Sequence, residues 1–199
     1  MKFEPHKTAI ARNKWTKPGR WLYENYFQKN NKSIDSMLDF GAGKSIDSDC
    51  WAEKTGAFTQ AYDQFEQPQF PGRGIKPTRQ FDLVTIIFVL NVISTENERV
   101  EVLNDAMQYV KSNGYLFVAT RSRREIERAR MRSEKKGNKW EQLPSGAYIS
   151  CGRKKTVQFG IDDGDLEQLV SISNCHNFKH INLEKHPGSE IGCALFQNL

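Results

Sequence analysis

The sequence predicts an α/β fold around a mostly parallel β-sheet, and three observations carry this prediction. Apolar segments of strand length alternate along the chain with amphipathic segments of helical spacing. The segment "FDLVTIIF" (81–88) is apolar on both faces, as the central strands of parallel sheets are. A glycine turn, "GAGKS" (41–45), directly follows the first predicted strand, where sheets of this kind leave a ligand crevice.

The first third of the chain predicts an arm, two helices and two strands. Basic, irregular residues come first, and aromatic residues at helical spacing follow. The first strand is apolar, and the second helix begins near Asp47 or Ser48 and ends before a glycine. These elements are the arm 1–16, the helix 17–30, the strand 34–40, the helix 47–56 and the strand 57–63.

The connection 64–80 holds three prolines and two glycines and therefore predicts a loop, where a doubly wound fold would have a helix and a strand. After the central strand, a helix with apolar residues at helical spacing is expected to end at Gly114. The remaining predicted elements are the strand 115–122, a basic helix ending at Gly137, a β-hairpin flap over 146–159, the helix 162–173, and closing strands 179–185 and 192–199.

The composition fits one domain over residues 1–199, with an N-terminal arm and helix (1–33) and a basic helix and flap (121–160) as appendages. No signal-peptide pattern or bilayer-length apolar segment is present, so we expect a cytoplasmic protein without a membrane partner. The four cysteines are scattered without a C-x-x-C pair, and His176 and His180 lack further ligand partners. Free thiols and no metal site are therefore predicted.

Basic charge is concentrated in two segments of a chain whose formal net charge is +5. Residues 121–140 hold nine Lys or Arg against three Glu, and residues 1–20 hold six against one. This pattern favours DNA or RNA as a partner, although a solvated helix face is the other interpretation. Trp15 and Trp140 lie within these segments and either stack on bases or anchor packing.

The glycine turn has the pattern Asp39-x-Gly41-x-Gly43-x-Ser45. An acid two residues before the first glycine disfavours a phosphate ligand and suits a cationic one, such as S-adenosylmethionine with its sulfonium and ammonium groups. Asp63, at the end of the second predicted strand, is placed to accept hydrogen bonds from two ribose hydroxyls. A tight turn with surface acids is the alternative interpretation.

These residues resemble the class I S-adenosylmethionine-dependent methyltransferases, and more narrowly the methyltransferases associated with DNA phosphorothioation. The resemblance extends over nearly the whole chain. It rests on "TAIAR" (8–12), "LDFGAGKSIDS" (38–48), "YDQFEQP" (62–68), "FVLNVISTENER" (88–99) and "GAYISCGRKKTVQF" (146–159). It implies a Rossmann-like, mostly parallel seven-stranded sheet, trimmed around the third strand and with an antiparallel last strand.

The resemblance also implies roles for individual residues. Gly41 and Gly43 would line the methionine part of the cofactor, Asp39 would orient its ammonium through water or backbone amides, and Asp63 would hold the ribose. Asp47 would either contact the cofactor or cap the helix. Ser45 stands where the family motif has a third glycine and is also a predicted cofactor contact. Residues 88–91 would lie beside the transferable methyl, which makes Phe88 and Leu90 predicted cofactor contacts.

The methyl acceptor is less well defined. The segment "LNVI" (90–93) replaces the N/D-P-P-Y/F motif of amino-directed DNA enzymes, and no Pro-Cys dipeptide is present for cytosine carbon-5 chemistry. Asn91 would orient the acceptor or serve as a buried helix cap, and Arg12 is the second candidate catalytic residue. The predicted substrate contacts are Arg121, Arg128, Arg130, Arg132, Lys154, Lys155 and Trp15.

Three interpretations remain open from the sequence. The first is a methyltransferase that acts on nucleic acid or within nucleic-acid modification and defence. The second is a methyltransferase for a small molecule or a protein. The third is a non-catalytic module that binds the cofactor or takes part in assembly.

Overall fold

The computed structural model describes residues 11–65, 69–151, 155–174 and 176–199, with the backbone alone at 151 and 155. The strands are β1 (Ser36–Phe40), β2 (Phe58–Tyr62), β3 (Phe81–Ile87), β4 (Val110–Arg121), β5 (Trp140–Gln142), β6 (Tyr148–Cys151), β7 (Lys155–Gln158), β8 (Phe178–Ile181) and β9 (Ile191–Asn198). The helices are α1 (Lys17–Leu22), α2 (Asp47–Thr55), α3 (Glu96–Met107), α4 (Arg123–Glu134) and α5 (Asp163–Ser171), with a π-helical turn at Tyr23–Gln28 and a 3₁₀ turn at Leu90–Val92.

Six strands form the central sheet in the order β2–β1–β3–β4–β9–β8. The first four are parallel to one another, and β9 runs antiparallel to both β4 and β8. The predicted α/β fold with an antiparallel last strand is therefore confirmed. Within the described residues this sheet has six strands rather than seven, because the part of the connection 63–80 that can be traced contains turns and one isolated bridge at Phe70.

Apolar side chains cover the central sheet on both faces, as its sequence predicts. Every residue of β1 is buried, and two clusters of buried side chains form the core. On one face, Trp51 of α2 is fully buried and contacts aromatic rings of the N-terminal segment, with ring centroids 5.5 Å from Tyr23 and 5.5 Å from Phe27. These contacts hold the N-terminal segment, defined as residues 11–28, against α2 and beside the glycine turn.

The helix after the central strand was predicted to end at Gly114, and this prediction was wrong. Helix α3 ends at Met107 and strand β4 already begins at Val110, so Gly114 lies inside the strand. The pairing of β3 with β4 shifts between Phe81 and Leu83, and a Cβ at Gly114 would lie 2.9 Å from the carbonyl oxygen of Lys111. Gly114 thus permits a bulge in which the backbones of β3 and β4 come close together. A side chain at this position would collide with that carbonyl group.

The predicted basic helix and flap are both present. Helix α4 begins directly after β4, and β5, β6 and β7 form a separate antiparallel sheet in which Tyr148 pairs with Gln158. Trp140 packs edge-on against Tyr148, with ring centroids 6.2 Å apart, which favours the packing interpretation of this tryptophan. Among the helices of the described residues, none combines the length and apolar character needed to span a bilayer.

Candidate functional site

A cavity of about 550 Å³ opens at the carboxyl ends of β1, β2 and β3. This is the edge at which open parallel sheets bind ligands, and the volume lies in the usual range for a small-molecule site. The glycine turn and Asp63 line one part of the cavity. Arg12, Phe88 and Arg121 line it as well, together with two glutamates, Glu125 of α4 and Glu190 just before β9.

The two glycines of the turn are required by backbone geometry. Gly41 and Gly43 have positive φ angles of 75° and 51°, which L side chains rarely adopt. A Cβ on Gly41 would lie only 2.5 Å from a methyl carbon of Val89, so the turn and the segment after β3 approach each other closely. The N–H of Gly41 donates to the carbonyl of Tyr62 at 2.7 Å, which ties the turn to the end of β2.

The carboxylate of Asp63 connects the end of β2 to the glycine turn. Its Oδ2 accepts the backbone N–H of Gly43 at 2.8 Å, and its Oδ1 accepts the N–H of Phe65 at 2.9 Å. Each carboxylate oxygen has a second lone pair, and the side chain lines the cavity, so capacity remains for hydroxyl donors of a ligand. The geometry is compatible with the predicted ribose contact.

Asp39 is buried and does not line the cavity. Its Oδ1 accepts a hydrogen bond from the Thr85 hydroxyl at 3.3 Å, whereas its buried Oδ2 has no hydrogen-bond partner among the described residues. Burial, reinforced by the nearby carboxylate of Asp47, raises the pKa of Asp39 to about 8. An influence of Asp39 on a bound ammonium would therefore be indirect.

The predicted cofactor contacts of Asp47 and Ser45 do not agree with the structure. Neither residue lines the cavity. The Asp47 carboxylate is buried and accepts hydrogen bonds from both the backbone N–H and the hydroxyl of Thr16, the former at 2.9 Å. The Ser45 hydroxyl accepts the N–H of Asp47 at 3.1 Å, at the start of α2. These two residues shape the helix start and anchor the N-terminal segment.

Of the two predicted contacts after β3, one lines the cavity and the other does not. Phe88 does, and its φ of 61° is uncommon for a residue with a side chain, so its backbone is held there by its surroundings. The N–H of Phe88 donates to the carbonyl of Ala119 at 2.8 Å. Leu90 is fully buried in the core, and Val89 lines the cavity instead.

Asn91 is buried and lines the cavity, and its hydrogen bonds favour the structural one of its two predicted roles. Its side-chain amide donates to the carbonyls of Arg121 at 3.1 Å and Phe159 at 2.7 Å, and its Oδ1 accepts the N–H of Arg121 at 2.8 Å. Both amide N–H groups are therefore used within the protein, which leaves none to orient an acceptor. Asn91 joins the ends of β4 and β7 to the 3₁₀ turn after β3, which is the structural interpretation.

Two predicted arginines do line the cavity. The Arg12 guanidinium lies 5.1 Å from the centre of the Phe88 ring, and its backbone N–H donates to the carbonyl of Lys44 at 3.1 Å. Partial burial lowers the pKa of Arg12, and the carboxylates of Asp47 and Asp39 oppose this shift. Arg121 donates to Gln158 at 2.9 Å and pairs with Glu125 at 3.3 Å.

The three arginines predicted to act together on α4 differ in their surroundings. Arg130 pairs with Glu127 at 3.0 Å and Glu134 at 2.9 Å, and Arg132 pairs with Glu125 at 2.8 Å. Arg128 is exposed. Much of the charge of Arg130 and Arg132 is thus balanced within the helix, and their contact with a substrate stays a prediction.

The remaining predicted substrate contacts are a tryptophan and two flap lysines. Trp15 packs against Trp51 and Tyr23, with ring centroids 5.8 Å and 5.5 Å away, so the structure makes it a packing anchor and not a base-stacking platform. Lys154 lies outside the described residues. Lys155 is described by its backbone alone, paired with Cys151 in the flap.

Several residues of the site were missed by the sequence analysis. Arg73, in the connection after β2, donates to the carbonyls of Gly43 and Ser45. Glu190 lines the cavity and pairs with Lys17 of α1. Of these residues, only Glu125 could have been predicted from the sequence. It lies four residues after Arg121, a spacing at which opposite charges can form an ion pair near the start of a helix.

One group in the described residues combines side chains that can bind metals. Ligand atoms of Asp163, His186 and Cys193 lie within 4.8 Å of one another. His186 Nδ1 accepts the N–H of Gly188 at 3.1 Å, and its Nε2 lies 3.3 Å from Asp163. Burial raises the pKa of the Cys193 thiol to about 12, and both imidazole nitrogens are engaged, so this arrangement is poorly suited to a metal.

The fold of this chain is similar to the folds of solved structures of other proteins. No protein-family model matches the chain, and no curated protein matches its sequence. Among solved structures, an S-adenosylmethionine-dependent methyltransferase from Clostridium acetobutylicum aligns with a TM-score of 0.62 at 14% identity, over 92% of each chain. The CcbJ methyltransferase from Streptomyces caelestis aligns with a TM-score of 0.61 at 10% identity, over 94% of this chain and 100% of that one.

A third similar structure, also a methyltransferase, contains ligands. The 1,6-didemethyltoxoflavin-N1-methyltransferase from Burkholderia thailandensis was solved with 1,6-didemethyltoxoflavin and S-adenosylhomocysteine bound. It aligns with a TM-score of 0.55 at 12% identity, over 90% of this chain and 77% of that one. The fold of this chain is therefore the fold that these S-adenosylmethionine-dependent methyltransferases share.

Proposed function

We propose that the protein is a methyltransferase that uses S-adenosylmethionine. The observation that carries the proposal is the junction of Gly43 with Asp63, where a tight glycine turn and a strand-end carboxylate meet at one cavity. The donor set fits the cofactor because Asp63 retains lone pairs for hydroxyl groups, and the turn brings backbone close to the cavity. The shared fold of known methyltransferases supports the same conclusion.

The cofactor would supply a methyl group activated by a sulfonium. The task of the protein is then to hold donor and acceptor in line, and positioning of this kind contributes much of the rate in such reactions. Gly41, Gly43 and Asp63 would hold the cofactor, and Phe88 would lie beside the acceptor. Arg12, whose guanidinium lies over the Phe88 ring, would orient the acceptor.

For the acceptor, we propose nucleic acid, in the context of DNA modification that the sequence motifs suggest. The exposed face of α4 supports this choice, because Arg124, Arg128 and Lys135 are spaced for one stripe along the helix and are all exposed. The stripe begins three residues after Arg121, which lines the cavity. A strand bound along it would lead toward the site.

A small-molecule acceptor is the second candidate. The N-terminal segment supports it, because Arg12 and Lys17 line one side of the cavity while the segment is anchored by the buried contact between Thr16 and Asp47. A site partly covered in this way favours a compact acceptor.

The first experiment is a calorimetric titration of the full chain with S-adenosylmethionine and with S-adenosylhomocysteine. Micromolar binding of both is expected. A labelled-methyl assay on DNA, RNA and small-molecule extracts then separates the two acceptor candidates, and retention on nucleic acid should fall steeply with salt. Absence of binding at millimolar ligand would overturn the proposed function and favour a non-catalytic module.

A further inference from the structure

We infer that Arg73 is a positioning residue that fixes the glycine turn, so that cofactor affinity depends on it. This inference rests on the proposed function of the same site. Arg73 does not line the cavity. It acts on the backbone that does.

The contact geometry is specific to a guanidinium. Nη1 of Arg73 donates to the carbonyl of Gly43 at 2.6 Å, and Nη2 donates to the carbonyl of Ser45 at 2.5 Å. One planar group thus spans two carbonyls of the turn, as the fixed fork of arginine donors permits. The side chain is 6% exposed, and its guanidinium lies 4.1 Å from the centre of the Phe70 ring.

Arg73 and Asp63 bind the two peptide groups that flank Gly43. The N–H of Gly43 donates to Asp63 and the carbonyl of Gly43 accepts from Arg73. The backbone carbonyl of Arg73 in turn accepts the N–H of Asp63 at 2.9 Å. Gly43 is therefore fixed by two side chains whose own positions are joined, which leaves the turn little freedom to deviate from its binding conformation.

The electrostatic surroundings explain why a buried cation is tolerated here. Burial lowers the pKa of Arg73, and the carboxylates of Asp39, Asp49 and Asp63 oppose that shift. Asp39 is the largest of these contributions, and its buried Oδ2 has no hydrogen-bond partner in the described part of the chain. The charge of Arg73 in turn lowers the pKa of Asp39, although burial keeps that pKa above its ordinary value.

The shortened connection after β2 brings Arg73 to this position. Where a doubly wound fold would have a strand and a helix, the described residues of 63–80 turn back toward the glycine turn. The turn itself has Ser45 in place of a third glycine, and the carbonyl of Ser45 is one of the two that Arg73 binds. The loop therefore supports a turn that departs from the usual motif.

The test compares Arg73→Lys and Arg73→Met with the wild-type chain. Affinity for S-adenosylhomocysteine is measured by calorimetry, and the melting temperature of each protein is measured by circular dichroism. We expect at least tenfold weaker binding for Arg73→Met and a smaller loss for Arg73→Lys, because lysine keeps the charge but not the two-pronged donor. Arg79→Met is the matched control from the same connection, where the guanidinium lies 4.9 Å from the Phe58 ring, and it should change affinity less than twofold.

The outcomes separate this inference from the proposed function. Failure of the wild-type chain to bind would overturn both. If the wild-type chain binds and both Arg73→Lys and Arg73→Met bind with the same affinity, the inference alone is overturned. This holds even if both variants melt at a lower temperature, because a purely structural role lowers stability without changing the affinity of the folded protein. If Arg73→Met does not fold, Arg73→Lys decides by the same criterion.

Discussion

At the scale of single residues, Asp63 illustrates how one carboxylate can serve both the fold and a ligand. Its oxygens accept the N–H groups of Gly43 and Phe65, and the same side chain lines the cavity. Asp63→Ala should therefore lower affinity for S-adenosylhomocysteine at least tenfold while the protein remains folded. The lost bonds should reduce the free energy of unfolding by about 1–3 kcal/mol.

The measurement is calorimetric titration combined with thermal unfolding. Asp105→Ala is the control, because it removes an equal charge from the wall of the same cavity. Equal affinity in wild type and Asp63→Ala would show that the ribose contact is assigned to the wrong residue.

Asp39 supports a prediction about pH. Its folded-state pKa of about 8 lies above its ordinary value of 3.8, so the folded protein holds a proton that the unfolded chain releases. Stability contributed through this group is therefore present at low pH and is lost as pH rises from about 4 to about 8. Asp39→Asn has no such titration, so its melting temperature relative to wild type should rise across that window and then level off.

Thermal unfolding of both proteins between pH 5 and pH 9 tests this expectation. The difference between them isolates Asp39, since the other ionisable groups are common to both chains. A difference that does not change with pH would mean that the Asp39 carboxyl is ionised in the folded protein.

At the scale of elements, helix α4 carries arginines that form ion pairs and arginines for which the described part of the chain shows none. Arg130 and Arg132 pair with glutamates, whereas Arg124 and Arg128 lie on the exposed stripe. If nucleic acid is the acceptor, the double variant Arg124→Gln with Arg128→Gln should reduce the magnitude of the logarithmic salt slope of binding by about 2. The double variant Arg130→Gln with Arg132→Gln removes the same net charge and should change the slope less.

Fluorescence anisotropy with a labelled DNA duplex, repeated at several salt concentrations, measures these slopes. Equal slopes in both double variants would indicate a general charge effect. An unchanged slope in the first variant would mean that the stripe is a solvated face.

The elements themselves were largely predictable, and the exceptions have physical reasons. Apolar segments identified β1 and β3, because burial within a sheet leaves a local pattern, and the start and stop residues around 47–56 identified α2. The end of α3 was misplaced, since Gly114 was interpreted as a helix stop when its role depends on the backbone of β3, more than 30 residues earlier. A glycine at a bulge and a glycine after a helix look alike in sequence.

At the scale of the whole molecule, contacts between distant elements set what could be predicted of the site. Gly41, Gly43 and Asp63 follow from a local motif and were placed at the cavity. The choice between the two predicted roles of Asn91 could not be made from sequence, because its amide binds carbonyls of residues 30 and 68 positions later in the chain. Arg73 was missed for a similar reason. It lies in a loop without a recognisable motif, and its partners in the glycine turn are 28 and 30 residues earlier in the chain.

The anchoring of the N-terminal segment is a property of the whole molecule. Thr16 donates to the buried carboxylate of Asp47 through both its N–H and its hydroxyl, and Arg12 donates its backbone N–H to Lys44 of the glycine turn. Thr16→Val preserves shape but removes the hydroxyl donor from a buried carboxylate. The free energy of unfolding should therefore fall by about 1–3 kcal/mol.

The same substitution should also weaken binding of S-adenosylhomocysteine, because Arg12 and the glycine turn are held through this anchor. Thr55→Val is the matched control at the other end of α2, where the hydroxyl donates to the carbonyl of Trp51 at 2.7 Å, remote from the cavity lining. It should lower stability without changing affinity. Calorimetry and thermal unfolding on the two variants decide the matter: if both lose stability and neither loses affinity, the N-terminal segment covers the site without shaping it.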